Sequence, residues 1–179
     1  GKFAFQECEN LQSINLPDGV TTIGDQAFCN CGNLVSLNVP NGVNSIGRLA
    51  FSDCSNLISI ILPESVTSIG DTAFAYCSSI KEFNGKLASE DSRCLIIDGK
   101  LVAFAPAGIT KFTIPDNVTA IGKRAFDWCS NLKSVTIPNS VKTIGARAFE
   151  GCDNLTSVTI PNSVTTIGGY TFSGCDNLT

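Results

Sequence analysis

Apolar and polar residues alternate along this chain in short runs that return at a fixed interval. Over 155–160, Leu155, Val158 and Ile160 are apolar while Ser157 and Thr159 are small and polar, the alternation of a strand with one buried face. Pro161 then removes a backbone donor and fixes φ, which ends the strand. Val164 and Ile167 turn inward beside outward Thr165 and Thr166, a second short extended run that Gly168 closes with a turn. The apolar positions that follow, such as Ala148, Phe149 and Cys152 one repeat earlier, are predicted to lie on a compact helical or 3₁₀ turn. Each unit therefore makes a coil with three sides.

The interval is 23 residues: Phe5, Phe28, Phe51 and Phe74, then Phe126, Phe149 and Phe172. Leu11, Leu34, Leu57, Ile80, Ile109, Leu132, Leu155 and Leu178 open successive coils, and six of the seven prolines fall in register. Such a period is the mark of a repeat solenoid. One coil cannot bury its apolar face alone, so neighbours must stack with parallel strands at a spacing of about 4.8 Å, giving a rod roughly 35 Å long. The fold class this predicts is a right-handed solenoid with short parallel strands on a concave side, helical or 3₁₀ turns opposite, and one β-hairpin insert. Residues 1–179 form a single array of seven coils with partial ends, read as a segment of a longer protein because both termini fall in mid-coil.

The coil over 80–108 breaks the pattern, with 29 residues and no proline, Ile-Gly or Ala-Phe in register. Asp98-Gly99 lies between Cys94-Leu95-Ile96-Ile97 and Lys100-Leu101-Val102-Ala103-Phe104, which predicts two antiparallel strands joined by a type I′ turn. It reads either as a structural variant or as a projecting hairpin that, with Glu90 and Asp91 before it and Asp98 at its tip, forms part of a contact site.

The same register disposes of several candidate sites. Seven of nine cysteines (Cys8, Cys31, Cys54, Cys77, Cys129, Cys152, Cys175) occupy one repeat position, as a packing column of small buried side chains would. Cys29 and Cys94 stand outside it. Asn10, Asn33, Asn56, Asn131, Asn154 and Asn177 precede the opening leucines, and are expected to bury their amides against turn backbone. Asn154 and Asn177 would then be poor glycosylation acceptors, leaving Asn117-Val118-Thr119 as the exposed sequon. Asp53, Asp127, Asp153 and Asp176 vary from copy to copy, as solvated turn residues do. The chain has no histidine, so Ser-His-Asp and Cys-His catalysis is out of reach and the usual zinc sets lose their commonest ligand. No cofactor, metal or enzymatic role is read. Twelve basic residues against 16 acidic ones, spread along the chain rather than gathered into a long run or stripe, disfavour nucleic acid as a partner. No run is long and apolar enough for a membrane span.

The pattern L-x-x-[LIV]-x-[LIV]-P-x-x-V-x-x-I-G followed by Ala-Phe and Cys resembles the 23-residue leucine-rich repeat of the BspA-like family of bacterial and protozoan surface proteins. The resemblance implies a surface-exposed or secreted protein that is not an enzyme, with members acting as adhesins toward host extracellular-matrix proteins or other bacteria. A protein partner would meet the outward strand columns, Ser13, Ser36, Ser59, Lys111, Ser134 and Ser157 in one and Asn15, Asn38, Ile61, Thr113, Thr136 and Thr159 in the other. Lys111 and Ile61 break their monotony, and with Ser59, Thr113, Ser134, Thr136, Glu90, Asp91 and Asp98 they make up the candidate contact set. Trp128, Tyr76 and Tyr170 fall on the turn side. Rival readings are a structural stalk, a carbohydrate-binding face short of aromatics, and an ice-binding face that lacks strict threonine pairing.

Overall fold

A computed structural model describes residues 1–179 as a stack of coils with parallel strands on two sides. On the first side, β1 (Ser13–Asn15), β3 (Ser36–Asn38), β5 (Ser59–Ile61) and β7 (Glu82–Asn84) form one sheet, and β10 (Lys111–Thr113), β12 (Ser134–Thr136) and β14 (Ser157–Thr159) another. On the second side, β2 (Thr22–Ile23), β4 (Ser45–Ile46) and β6 (Ser68–Ile69) form a sheet. A five-stranded sheet continues that side in the order β15 (Thr166–Ile167), β13 (Thr143–Ile144), β11 (Ala120–Ile121), β9 (Lys100–Phe104), β8 (Cys94–Ile97). Register follows the repeat, with Ser13 opposite Ser36 and Ser134 opposite Ser157. Between the two strand sides, Val20 N–H donates to the Pro17 carbonyl at 3.0 Å, and the same Pro-x-x-Val turn recurs through Val164 and Pro161. Pro106, outside the column, makes the equivalent bond with Ile109 at 3.1 Å.

The third side corrects the expected helical or 3₁₀ turn, for it contains no helix. Its residues form consecutive β-turns, in which Ala27 N–H bonds to Gly24 O and Cys29 N–H to Gln26 O, both at 3.2 Å. Alternate amides point along the stack instead: those of Gln26, Phe28 and Asn30 donate to the carbonyls of Arg48, Ala50 and Ser52 in the next coil at 2.8–2.9 Å. A helix would spend every amide inside its own coil; this alternation leaves half of them to bind the coils together. It requires a left-handed residue at two places per coil, for example Leu49 (φ 56) and Asp53 (φ 61), or Arg147 (φ 59) and Gly151 (φ 69). Each such non-glycine residue costs about 1–2 kcal/mol, offset by the inter-coil bonds it releases.

The column residues pack as their register predicts. Phe5, Phe28, Phe51 and Phe74 stack with ring centroids 5.0–5.4 Å apart and nearly parallel planes, as do Phe126, Phe149 and Phe172 at 4.8–5.4 Å. The cysteine column is buried except for Cys8, and where a regular coil precedes, its thiols donate to the phenylalanine carbonyl of that coil: Cys54 Sγ to Phe28 O at 3.1 Å, Cys77 Sγ to Phe51 O at 3.0 Å. Burial pushes the Cys77 thiol up to about 12. The asparagine column is a correction. Its side chains are exposed, yet they still tie coils together, Asn33 Nδ2 donating to Glu9 O at 2.8 Å and Asn154 Nδ2 to Ser130 O at 2.7 Å. The turn lies at the rim rather than in the interior, so its carbonyls face water.

The hairpin forms as read: Asp98 and Gly99 take φ 48° and 76°, the two positive angles of a type I′ turn. It does not project. Strand β9 pairs with β11 and stands where the second strand of a regular coil would stand, with β8 antiparallel beside it. Leu95, Ala103 and Ala105 pack into the core of the earlier coils, whereas Cys94, Leu101 and Phe104 pack into the core of the later ones. The hairpin is thus a partition between two hydrophobic cores, and it is apolar on both faces because both faces are buried.

Candidate binding surface

Outward residues of the strand side divide between its two sheets. Ser59 and Ile61 lie on β5, flanked by Ser36 and Asn38 on one side and Glu82 and Asn84 on the other. Lys111 and Thr113 on β10 lie opposite Ser134 and Thr136 on β12. The two groups do not share a ladder, because β7 and β10 are not paired. Ile61 is 57% exposed, and Val35 and Ile58, just before β3 and β5, are exposed too, which makes this part of the face the more apolar. Glu82 and Asn84 were missed in the sequence reading. The signal was present, since Lys81-Glu82-Phe83-Asn84 stands 23 residues after Ile58-Ser59-Ile60-Ile61 with Phe83 in the buried position.

Glu90 and Asp91 line an open cleft of about 480 Å³ with Ser89, Pro115, Asp116 and Asn117. Asp91 Oδ1 accepts from the Ser89 hydroxyl at 2.6 Å and the Arg93 amide at 3.0 Å, so the carboxylate shapes its own loop. Asp98 is exposed at the hairpin turn and is not part of that cleft.

A third region lies on the turn side, where the irregular coil supplies no Ala-Phe turn. Tyr76, in the coil before the hairpin, meets Arg124 and Trp128 of the coil beyond it: Arg124 Nη1 donates to Tyr76 Oη at 2.5 Å, its guanidinium lies 5.4 Å from the tyrosine ring centre, and the Tyr76 and Trp128 rings are 6.2 Å apart. Arg124 also pairs with Asp127 at 2.8 Å and Glu150 at 2.9 Å, and Arg147 pairs with Glu150 at 2.8 Å. Asp127, expected to be a solvated turn residue, has a side chain only 1% exposed. Burial pushes its carboxyl up to about 6 against the pull of Arg124, and its Oδ1 has no hydrogen-bond partner. Tyr170 is the outlier of the three aromatics, 69% exposed beneath the Arg147 guanidinium at 5.0 Å.

No group of histidine, cysteine or carboxylate side chains has metal-ligand geometry, and no helix is long and apolar enough to cross a membrane. No curated protein matches the chain. Among solved structures, a leucine rich cell surface protein of Faecalibacterium prausnitzii superposes with a TM-score of 0.76 at 27% identity over 98% of this chain. This chain spans 60% of that protein's length. A leucine-rich repeat protein of T. pallidum shares 30% identity over 99% of the chain and 70% of its own, with a TM-score of 0.57. The pneumococcal vaccine antigen PcpA shares the fold at 19% identity and a TM-score of 0.60, over 83% of the chain and 50% of its own. The sequence model of the BspA type leucine rich repeat region matches residues 1–91 and 100–179 in six copies and leaves out only the start of the hairpin. With the period, the strand register and these matches in agreement, the chain belongs to the BspA-type leucine-rich-repeat family.

Proposed function

We propose that this chain is a non-catalytic protein-binding segment of a cell-surface or secreted protein, and that its partner docks on the outward strand side. The observation that supports this most is the break in an otherwise bland face. Ile61, exposed between Asn38 and Asn84, offers apolar area, and Lys111 offers a charge among Ser134, Thr113 and Thr136. A few such anchors set in small neutral surroundings are how interfaces concentrate their energy. The relative titled a cell surface protein favours the same location. Host extracellular-matrix proteins or a bacterial surface protein are the partners this reading names, with Glu90, Asp91 and Asp98 at the edge of the contact.

The test is capture of the chain by immobilised matrix proteins. Ile61→Asp combined with Lys111→Glu should lower capture by about tenfold or more, equivalent to the 1.4 kcal/mol that one anchor readily supplies. Undiminished capture would remove the strand face from consideration. Absence of capture by every matrix protein would favour a spacer role, for which the uniform serine and threonine columns are suited.

A further inference from the structure

In regular coils the turn side is sewn to the next coil by three amides. Leu49, Phe51 and Asp53 donate to Asp71, Ala73 and Ala75 at 3.3, 2.8 and 3.0 Å. The next row of donors is Thr72, Phe74 and Tyr76, and the acceptors that follow it in the array are the carbonyls of Lys123, Ala125 and Asp127, beyond the hairpin. None of these three amides reaches any protein acceptor. The Lys123 and Ala125 carbonyls accept nothing, and Asp127 O has only the Cys129 thiol at 3.9 Å. The hairpin coil fills the interior, where Phe83 packs edge-on to Phe74 and Phe104 sits 4.6 Å from Phe126, and it adds β7 and β9 to the two strand sides, although no backbone pairing joins β7 to β10 or β6 to β8. It does not restore the turn side.

We propose that this interrupted ladder is a docking notch for an extended, acidic polypeptide segment, which lies between the two rows and pairs its own carbonyls with one lip and its amides with the other. An open cleft of about 490 Å³ lies there, lined by Thr72 and Tyr76 on one side and Lys123 and Arg124 on the other, with Arg48 and Arg147 outnumbering the one carboxylate, Asp53, around it. A line of backbone donors facing a line of backbone acceptors is the complement of a polypeptide strand, not of a sugar chain, and completing a broken ladder is an established way of capturing a peptide. Charge selects the side chains. Arg48 and Lys123 are exposed and lie beyond ion-pair distance of any carboxylate, in a chain whose net charge is −4. Carboxylates carried past them would be attracted and a lysine-rich segment repelled. The notch is on a different face from the strand columns, so it stands or falls separately from them.

Hydrogen exchange and fluorescence anisotropy test this together, with a labelled peptide of alternating Glu and Ser as the probe. In the free protein the Thr72, Phe74 and Tyr76 amides should exchange much faster than those of Leu49, Phe51 and Asp53, and the peptide should protect them. Arg48→Glu with Lys123→Glu should weaken the peptide by about threefold or more, because two exposed cations that attract its carboxylates become two anions that repel them. The control Lys142→Glu, and Ile61→Asp on the strand face, should leave peptide affinity as it was. Three results would overturn the proposal: equal protection of both rows in the free protein, a Lys and Ser peptide binding as well as the Glu and Ser one, or dextran sulfate displacing the peptide without the amides losing protection. The last would mark a nonspecific anion surface.

Discussion

The regular coils and the hairpin coil solve the same problem with different chemistry. A regular coil seals itself to its neighbours on all three sides, with parallel strands on two and forward-pointing amides on the third. The hairpin coil seals the interior, with longer strands whose two faces feed two separate cores, and leaves the strand ladders open between β7 and β10 and between β6 and β8. Regularity gives the array stiffness and uniformity. Departure from it gives the one place where backbone groups, a buried carboxylate and unpaired cations meet. The lesson concerns where a solenoid can acquire function: a column cannot be altered at one coil without cost to its neighbours, while a partition can.

The sharpest way to break this comparison is to remove the side chain that joins the partition to the later core. Phe104→Ala should cost about 3–5 kcal/mol, and it should also split unfolding into two steps. Trp128, the only tryptophan, belongs to the later coils and touches the earlier ones only through Tyr76, so urea curves followed by its fluorescence and by circular dichroism should separate in the variant. Phe51→Ala, within one regular stack, should cost a similar amount and keep the two curves closer together.

The next effect concerns Asp127. Its folded-state carboxyl is raised from 3.8 to about 6, so between those values the native state binds more protons than the unfolded one. Stability from this residue is therefore fully present at low pH and is lost as pH rises from about 4 to 6, by roughly 2–3 kcal/mol at most. Asp127→Asn should lose that slope, read as a flatter dependence of the urea midpoint on pH than in the parent. A parallel slope in the two proteins would show that the carboxyl is solvated.

Smaller effects test the regular coils. Asp53 holds a left-handed position that Gly151 and Gly174 occupy further along, so Asp53→Gly should raise stability by about 0.5–1 kcal/mol, measured as a higher melting temperature. In the folded protein only Cys8 is exposed. Iodoacetamide followed by mass spectrometry should find one modified thiol in native buffer and all nine in denaturant.

The strand sides were legible because alternation and proline fix them locally; Ser13, Ser36 and Ser59 fall into register from sequence alone. The turn side was not, since a helical turn and a run of β-turns place Ala148, Phe149 and Cys152 on the same apolar side and differ only in where the amides go. The hairpin was legible as a hairpin from Asp98-Gly99, but its burial depends on two cores that no local pattern displays. Asp127 lies beside the cysteine column, as Asp153 does, and nothing local in the sequence marks it for burial. It is buried because Arg124 and Glu150 close over it beside the unsewn coil. Of the candidate contact set, Ser59, Ile61, Lys111, Thr113, Ser134 and Thr136 were placed on strands by periodicity. Their division between two sheets follows from the coil that periodicity fails to describe.

The partition has a last consequence, for how the chain folds. Most pairings in the array join residues about one coil apart, and closing such loops is slow relative to local structure. The antiparallel pair of β8 and β9 is the exception, with Ile97 opposite Lys100 across a two-residue turn, and hairpins of this kind form in about 1–10 μs. It exposes one prepared apolar face toward each end of the chain. Folding is therefore expected to nucleate in the middle and to spread outward in both directions, so that substitutions in 94–104 slow folding while those in the outer coils chiefly speed unfolding.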